Sequence, residues 1–213
     1  MIIAVDGPAA SGKGTIARAL ARHYRLPFLD TGLLYRAAAL NLIRMGGDAE
    51  SEFAATRACD ISHISFDDPE LKSETVGGFA ARISPYPMVR HALLERQKRF
   101  ADQPGGAVLD GRDIGTIIAP DADAKLFVTA SSEVRAHRRY GELKALGLNV
   151  HLDDVIEDIK LRDSRDRGRK SAPLRMAPDA ILLDTSTLSI TGAIKRAISA
   201  VDAKLATHTP GAR

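Results

Sequence analysis

The run Gly7-Pro-Ala-Ala-Ser-Gly-Lys-Gly-Thr15 carries residue types that can hold a polyphosphate. Glycines let backbone N–H groups curl around phosphate oxygens without Cβ obstruction. Lys13 adds a mobile full charge, and the Thr15 hydroxyl is a candidate Mg²⁺ ligand on an ion that keeps several waters. An apolar run, Ile2-Ile3-Ala4-Val5, precedes the loop and a helical pattern begins near Ile16, so a helix N-terminus adds its positive end. Gly7, Pro8, Ala9, Ala10, Ser11, Gly12, Lys13, Gly14 and Thr15 are therefore candidate nucleotide-binding residues, for ATP or GTP. The general phosphate-loop pattern places Ser or Thr directly after the lysine, whereas here Gly14 intervenes.

A second set of charges asks for a second anion. Arg162, Arg165, Asp166 and Arg169 fall at offsets 0, 3, 4 and 7, one face of a helix if it lasts that far, and Arg135, Arg138 and Arg139 fall at 0, 3 and 4 on the helix before. Two facing arginine-rich helices can clamp phosphates, because guanidinium groups bind phosphate oxygens bidentately and stay charged. Asp163 and Asp166 would orient them. The bland alternative is a solvated, salt-bridged surface that includes Glu142, Asp153, Asp154, Glu157 and Asp158. Asp110 follows Val108 and Leu109, as a magnesium-orienting acid acting through water should in a phosphate-loop enzyme. Arg112 and Asp113 beside it, and Tyr35 and Arg36 one turn into the helix after the second predicted strand, are placed to touch an acceptor. Asp184 ends an apolar strand in the same manner and reads as structural.

The elements that must position these groups follow from periodicity. Helices are predicted over 13–24, 33–45 (Asp30 or Thr31 as N-cap), 88–101, 131–146 (Ser131 or Ser132 as N-cap), 152–167 and 190–205, and strands over 2–5, 27–29, 107–109, 125–130 and 180–184. Polar and acidic residues dominate 47–70, where only 61–66 looks strand-like and a small, mobile appendage is expected. Strands alternating with helices predict an α/β fold, a doubly wound parallel sheet with ligands at the carboxyl ends of its strands. Thr15, Asp30-Thr31-Gly32, Asp110 to Asp113 and Ser131 all follow predicted strands, so one shared crevice is expected.

Composition bounds the rest. The 213 residues are 45% hydrophobic and 27% charged, enough for one well-cored domain. Thirty basic residues against 27 acidic are mixed along the chain, and aromatic content is 5%, so a nucleic-acid platform is not expected. The lone Cys59 cannot form an internal disulfide, no basic-plus-apolar leader opens the sequence and no run approaches about 18 apolar residues. A cytoplasmic protein with no membrane partner is the expectation.

Gly7 to Thr15 has the Gly-Lys-Gly-Thr ending of nucleoside monophosphate kinases. Together with Leu29-Asp-Thr-Gly-Leu-Leu-Tyr-Arg36, Leu109-Asp-Gly-Arg-Asp-Ile-Gly-Thr116, Ala130-Ser-Ser-Glu-Val-Arg-Ala-His-Arg-Arg139 and Arg162-Asp-Ser-Arg-Asp-Arg-Gly-Arg169, it resembles the bacterial cytidylate kinases over nearly the whole chain. The resemblance implies an adenylate-kinase-like P-loop NTPase fold in one kinase domain, 1–213: a core of 1–36, 91–134 and 171–207, a short acceptor-binding insertion of about 37–90, an arginine-rich lid of about 135–170 and a disordered tail, 208–213. It implies γ-phosphoryl transfer from Mg-ATP to CMP or dCMP; a monomer is the expectation. It places the acceptor on Thr31, Tyr35, Arg36, Arg90, Asp110, Arg112, Asp113, Arg162, Asp166 and Arg169: Arg90 and Asp113 on the cytosine edge, Arg36 and Arg112 on the phosphate, Arg162 and Asp166 on the sugar. ATP falls to the loop with Arg135, and Lys13, Arg112, Arg138 and Arg139 are the candidate catalytic residues; Thr15 and, through water, Asp110 are the candidates for the metal. Ala81 stands where the family can place a serine near the base, and 47–75 is shorter than in the family's longer members. The competing readings are another small-molecule P-loop kinase, for UMP, AMP or shikimate, and a nucleotide-switch module, which the missing Asn-Lys-x-Asp-type guanine-reading motif disfavours.

Overall fold

Ile2–Asp6 (β1) is the centre of a five-stranded sheet because its side chains are apolar to both faces and it has a parallel partner on each edge, Ala107–Gly111 (β3) and Ala124–Thr129 (β4). Ala4 lies opposite Leu109 on one side and Lys125 on the other. Phe28–Asp30 (β2) and Ile181–Asp184 (β5) complete the order β2-β3-β1-β4-β5. The computed structural model describes residues 1–208. Contacts divide the chain into two compact units, Met1–Leu29 with the chain from Ala101 onward, and Asp30–Phe100.

In the first unit, Lys13–Tyr24 (α1) and Ile190–His208 (α8) cover one face of the sheet. Ile3, Val5, Val108, Leu126 and Val128 pack there against Ile16, Leu20, Ala197 and Val201. Full burial of each large aliphatic chain is worth about 1.5–3 kcal/mol, so this face outweighs any surface ion pair in the molecule. Ser132–Ala145 (α6) and Leu152–Gly168 (α7) form an antiparallel hairpin with its own small core of Ala136, Leu143, Val155 and Ile159, onto which Ala9 and Ala10 pack. Ser131 is the N-cap of α6, its hydroxyl accepting from the Val134 N–H.

The second unit holds Thr31–Arg44 (α2), Glu52–Arg57 (α3), a 3-10 turn at Pro69–Lys72, Glu74–Ile83 (α4) and Pro87–Ala101 (α5). Asp30 caps α2 through the Gly32 N–H. The strand expected at 61–66 does not form: Asp60 accepts from the backbone and hydroxyl of Ser62 and Ile64 bonds back to Ile61, local turns that compete with extended structure. Ile61 and Ile64 are nevertheless buried. Within 47–70 the chain is helical over α3, capped by Ser51. The helix α4 carries Gly77 and Gly78, whose poor helix propensity hides it from a reading by pattern.

Other boundaries fall close to expectation, α1 with no shift and α2, α5, α6 and α7 within two residues. The last helix runs on through His208, so the expected disordered tail loses that residue, and 209–213 lie outside the described residues. Among the described residues, no helix is long and apolar enough to cross a membrane.

Candidate functional site

The loop between β1 and α1 turns on two left-handed residues, Ala10 (φ 57°) and the N-cap Gly12 (φ 85°). For Gly12 this conformation carries no steric cost; for Ala10 it costs about 1–2 kcal/mol, strain of the kind held at binding loops. Gly7 is dictated by space, since a Cβ there would lie 2.0 Å from the Val128 carbonyl oxygen.

The loop's carbonyl groups are engaged from outside. The Ala9 oxygen accepts from Arg135 Nη1 (3.2 Å), and the Ser11 oxygen from Arg138 Nη1 (3.3 Å) and the Thr185 hydroxyl (3.0 Å). Among the described residues the N–H groups of Ala9, Ala10, Ser11 and Gly12 have no protein acceptor, and the fully buried Ser11 Oγ has no hydrogen-bond partner. Four donors and an orphan hydroxyl around a curled backbone are what an anion such as a phosphate chain satisfies. Alongside lies a cavity of about 440 Å³ lined by Ala10, Gly12, Thr15, Arg138, Thr185 and Ile190.

Lys13 Nζ stands 3.7 Å from Asp110 Oδ1, and Asp110 is 3% exposed. Gly14 is what permits this approach: a Cβ at 14 would meet Asp110 Oδ2 at 2.9 Å and Arg18 Nη2 at 3.4 Å. The carboxylate thus sits against the residue between Lys13 and the exposed Thr15, a donor set of hard oxygens suited to hydrated Mg²⁺.

One end of β3 leads into a charged cluster. Arg112 Nε donates to Asp166 Oδ2 at 2.7 Å, and Arg169 Nη2 bonds the other oxygen. Burial raises the Asp166 pKa, but the two guanidinium groups outweigh it and hold the carboxyl below its ordinary range. The helix α7 runs to Gly168, one residue past its predicted end, so Arg169 lies off the helical face; with extended backbone it still reaches Asp166. Arg162 bonds Asp158 on its own helix (2.8 Å), and Arg139 bonds Glu142 (3.1 Å). Arg135 does not face solvent as one blade of a clamp. It is buried, makes a double ion pair with Asp163 (2.9 and 2.6 Å) and grips the loop from beneath.

In the second unit Thr31 is buried at the start of α2, and the guanidinium of Arg90, itself buried, lies 5.7 Å from the Tyr35 ring centroid. Arg36 Nη1 donates to the carbonyls of Leu71 (2.7 Å) and Ser73 (3.2 Å), and its guanidinium rests on Gly77, where a Cβ would come within 3.0 Å. Each unit therefore groups its own predicted residues: the loop, Asp110, Arg112, Asp113, Arg138, Asp166 and Arg169 in one, and Thr31, Tyr35, Arg36 and Arg90 in the other.

Three contributors escape a reading by motif. Thr185 follows β5 and ties the loop to it, and Arg18 lies beside Gly14 with its guanidinium 5.5 Å from the Phe28 ring centroid. Asp6 is the third: burial pushes its pKa up to about 7 against the N–H groups of Gly115 and Ile114, and Asp113 and Asp110 add repulsion. An acid closing a buried apolar strand immediately before the glycine loop was the available signal.

The profile of the cytidylate kinase family matches residues 3–203. The chain is 53% identical over 204 residues to a cytidylate kinase of Rhodopseudomonas palustris, covering 95% of this chain and 96% of that one. It is 53% identical to that of Xanthobacter autotrophicus (97% and 99% covered) and 52% identical to that of Methylocella silvestris (95% and 94%). A solved structure of an uncharacterized protein from Eubacterium ventriosum shares the fold at a TM-score of 0.53, with 15% identity over 95% of this chain and 98% of that one. Profile, relatives and the phosphate-loop geometry agree, and the chain belongs to the cytidylate kinase family.

Proposed function

We propose that the chain transfers the γ-phosphoryl group of Mg-ATP to CMP or dCMP, giving ADP and CDP or dCDP. The observation that carries this reading, beside family membership, is the pairing of two cationic systems in one unit: the loop with Lys13, and the Arg112–Asp166–Arg169 cluster, which has one positive charge in excess. A single triphosphate is served by the first. The second suits another phosphorylated ligand.

The acceptor phosphate has a second pKa of about 6 and is already largely a dianion at neutral pH, so no general base is needed. Catalysis then consists of aligning two anions and neutralising their charge in a site closed against water. The loop N–H groups and Lys13 bind the donor phosphates. Thr15 and, through water, Asp110 would hold the Mg²⁺ that accompanies ATP, where it would neutralise phosphate charge. The hairpin α6–α7 is the lid, with Arg138 and Arg139 on the donor side; Arg135 shapes the loop. Arg36 and Arg112 hold the acceptor phosphate, Arg90 and Asp113 receive the cytosine edge, and Arg162 with Asp166 the sugar, beside Thr31, Tyr35 and Arg169.

The deciding measurement is initial velocity of ADP release with Mg-ATP against CMP, dCMP, UMP, AMP and shikimate. CMP and dCMP should stand at least about tenfold above the others in kcat/KM, since a site built to hydrogen-bond one base edge rejects others strongly. Slow hydrolysis unstimulated by any acceptor would instead identify a nucleotide switch.

Gly77→Ala tests the role of Arg36. The added methyl pushes the guanidinium off its seat on α4, and a misplaced phosphate ligand should raise KM for CMP about fivefold to twentyfold, with KM for ATP unchanged. Equal changes in both constants would remove Arg36 from the acceptor phosphate.

A further inference from the structure

β1 ends on Asp6, whose carboxylate is 5% exposed and accepts one backbone N–H on each oxygen, from Ile114 and from Gly115, both at 2.8 Å. These are the first two N–H groups of the π-helical turn Ile114–Ile118, donors that no preceding turn can satisfy. A residue normally expected to satisfy the second of them is present: Asp113 occupies the N-cap position and belongs to the residue types that cap best. It makes no side-chain cap bond. The turn is capped instead from β1, by a residue more than a hundred positions away. This arrangement is electrostatically unfavourable, because Asp110 and Asp113 lie close enough to repel the Asp6 carboxylate. Stability alone is a poor reason for three acids in one buried corner.

We propose that Asp6 is a positioning residue for acceptor recognition: by capping the turn from β1, it relieves Asp113 of the capping role and fixes the Arg112–Asp113 segment relative to the phosphate loop. The proposal rests on the reading of Asp113 as the group that receives the base edge. Its cause is local. Without Asp6, the N–H groups of Ile114 and Gly115 are buried donors in need of an acceptor, and the N-cap carboxylate of Asp113 is the group placed to supply one. Asp113 then turns inward onto its own helix turn and away from the base. Asp6 also precedes Gly7 directly, so a single strand end sets both the donor loop and the acceptor-reading segment.

A double-mutant cycle tests this, using Asp6→Ala, Asp113→Ala and the pair, with thermal melts and with kcat and KM for CMP and ATP. Asp6→Ala should raise KM for CMP on the order of tenfold, the worth of one lost oriented hydrogen bond, while KM for ATP stays within about twofold. The double variant should match Asp113→Ala within about twofold, because a residue that acts through another has nothing left to position. Multiplying effects, or an ATP constant that rises as much as the CMP constant, would overturn the proposal and leave Asp6 a structural residue. An effect in Asp113→Ala with silence in Asp6→Ala overturns the Asp6 proposal alone, and silence in Asp113→Ala overturns the base reading and the proposal with it. Should Asp6→Ala not fold, Asp6→Asn, which keeps the volume and one acceptor, takes its place in the cycle with the same expectations.

Discussion

Arg112→Ala is expected to lower turnover about 10³-fold, or about 4 kcal/mol of transition-state stabilisation, with a smaller change in KM for CMP. The guanidinium leaves β3 at its carboxyl end, and Asp166 holds it at Nε from α7, so its remaining N–H groups are oriented before any ligand arrives. Charge that is already in position stabilises a transition state without reorganisation. Folding should survive the change, because Asp166 keeps its bond to Arg169 and is not left as an unpaired buried carboxylate. Arg112→Lys should recover little, since an ammonium cannot bond Asp166 and a phosphate with one rigid planar fork. Single-turnover rates at saturating CMP and ATP, beside a melting curve, make the test. A loss of less than tenfold would move the transition-state role to another arginine, with Arg138 the first candidate because its partners are uncharged oxygens of Ser11 and Thr185.

Gly14→Ala is the second large effect. A methyl group at 14 would lie 2.9 Å from Asp110 Oδ2, too close to stand, while Arg18 Nη2 at 3.4 Å is an ordinary contact. Asp110 is buried at 3% exposure and cannot swing into solvent, so the strain must shift either the carboxylate or the loop. Displacement on the order of 1 Å among groups that align reacting phosphates can cost about 10²-fold, and kcat/KM should fall by that factor. Alanine is otherwise a better helix residue than glycine, so the melting temperature should hold or rise while activity falls. Activity within fivefold of the parent would show that Asp110 gives way harmlessly.

Gly14 separates what the sequence shows from what the fold adds. Its presence between Lys13 and Thr15 was visible and pointed to monophosphate kinases by resemblance. The reason for it, the carboxylate of a residue nearly a hundred positions later pressed against the same spot, belongs to the packing of α1 on β3. Buried strands and amphipathic helices were legible for the same reason in each case: apolar period 2 or 3.6 is imposed locally by which face meets the core. The stretch 61–66 carries β-favouring residues, but aspartate and serine turns compete for its backbone and win. In α4 two glycines masked a helix whose first turn is stabilised by the Ser73 cap.

The sequence by itself determined the phosphate loop, the strand–helix alternation and the identity of nearly every charged group in the candidate site, because each depends on residue type and near spacing. Tertiary structure alone decided what those charges do to one another. It turned Arg135 from a blade of the expected phosphate clamp into a buried partner of Asp163 at the loop, and gave the capping of Ile114 and Gly115 to Asp6. The physical reason is common to both. A charge in a buried place acts on whatever the fold brings within about 3 Å, and that neighbour is seldom near in the chain.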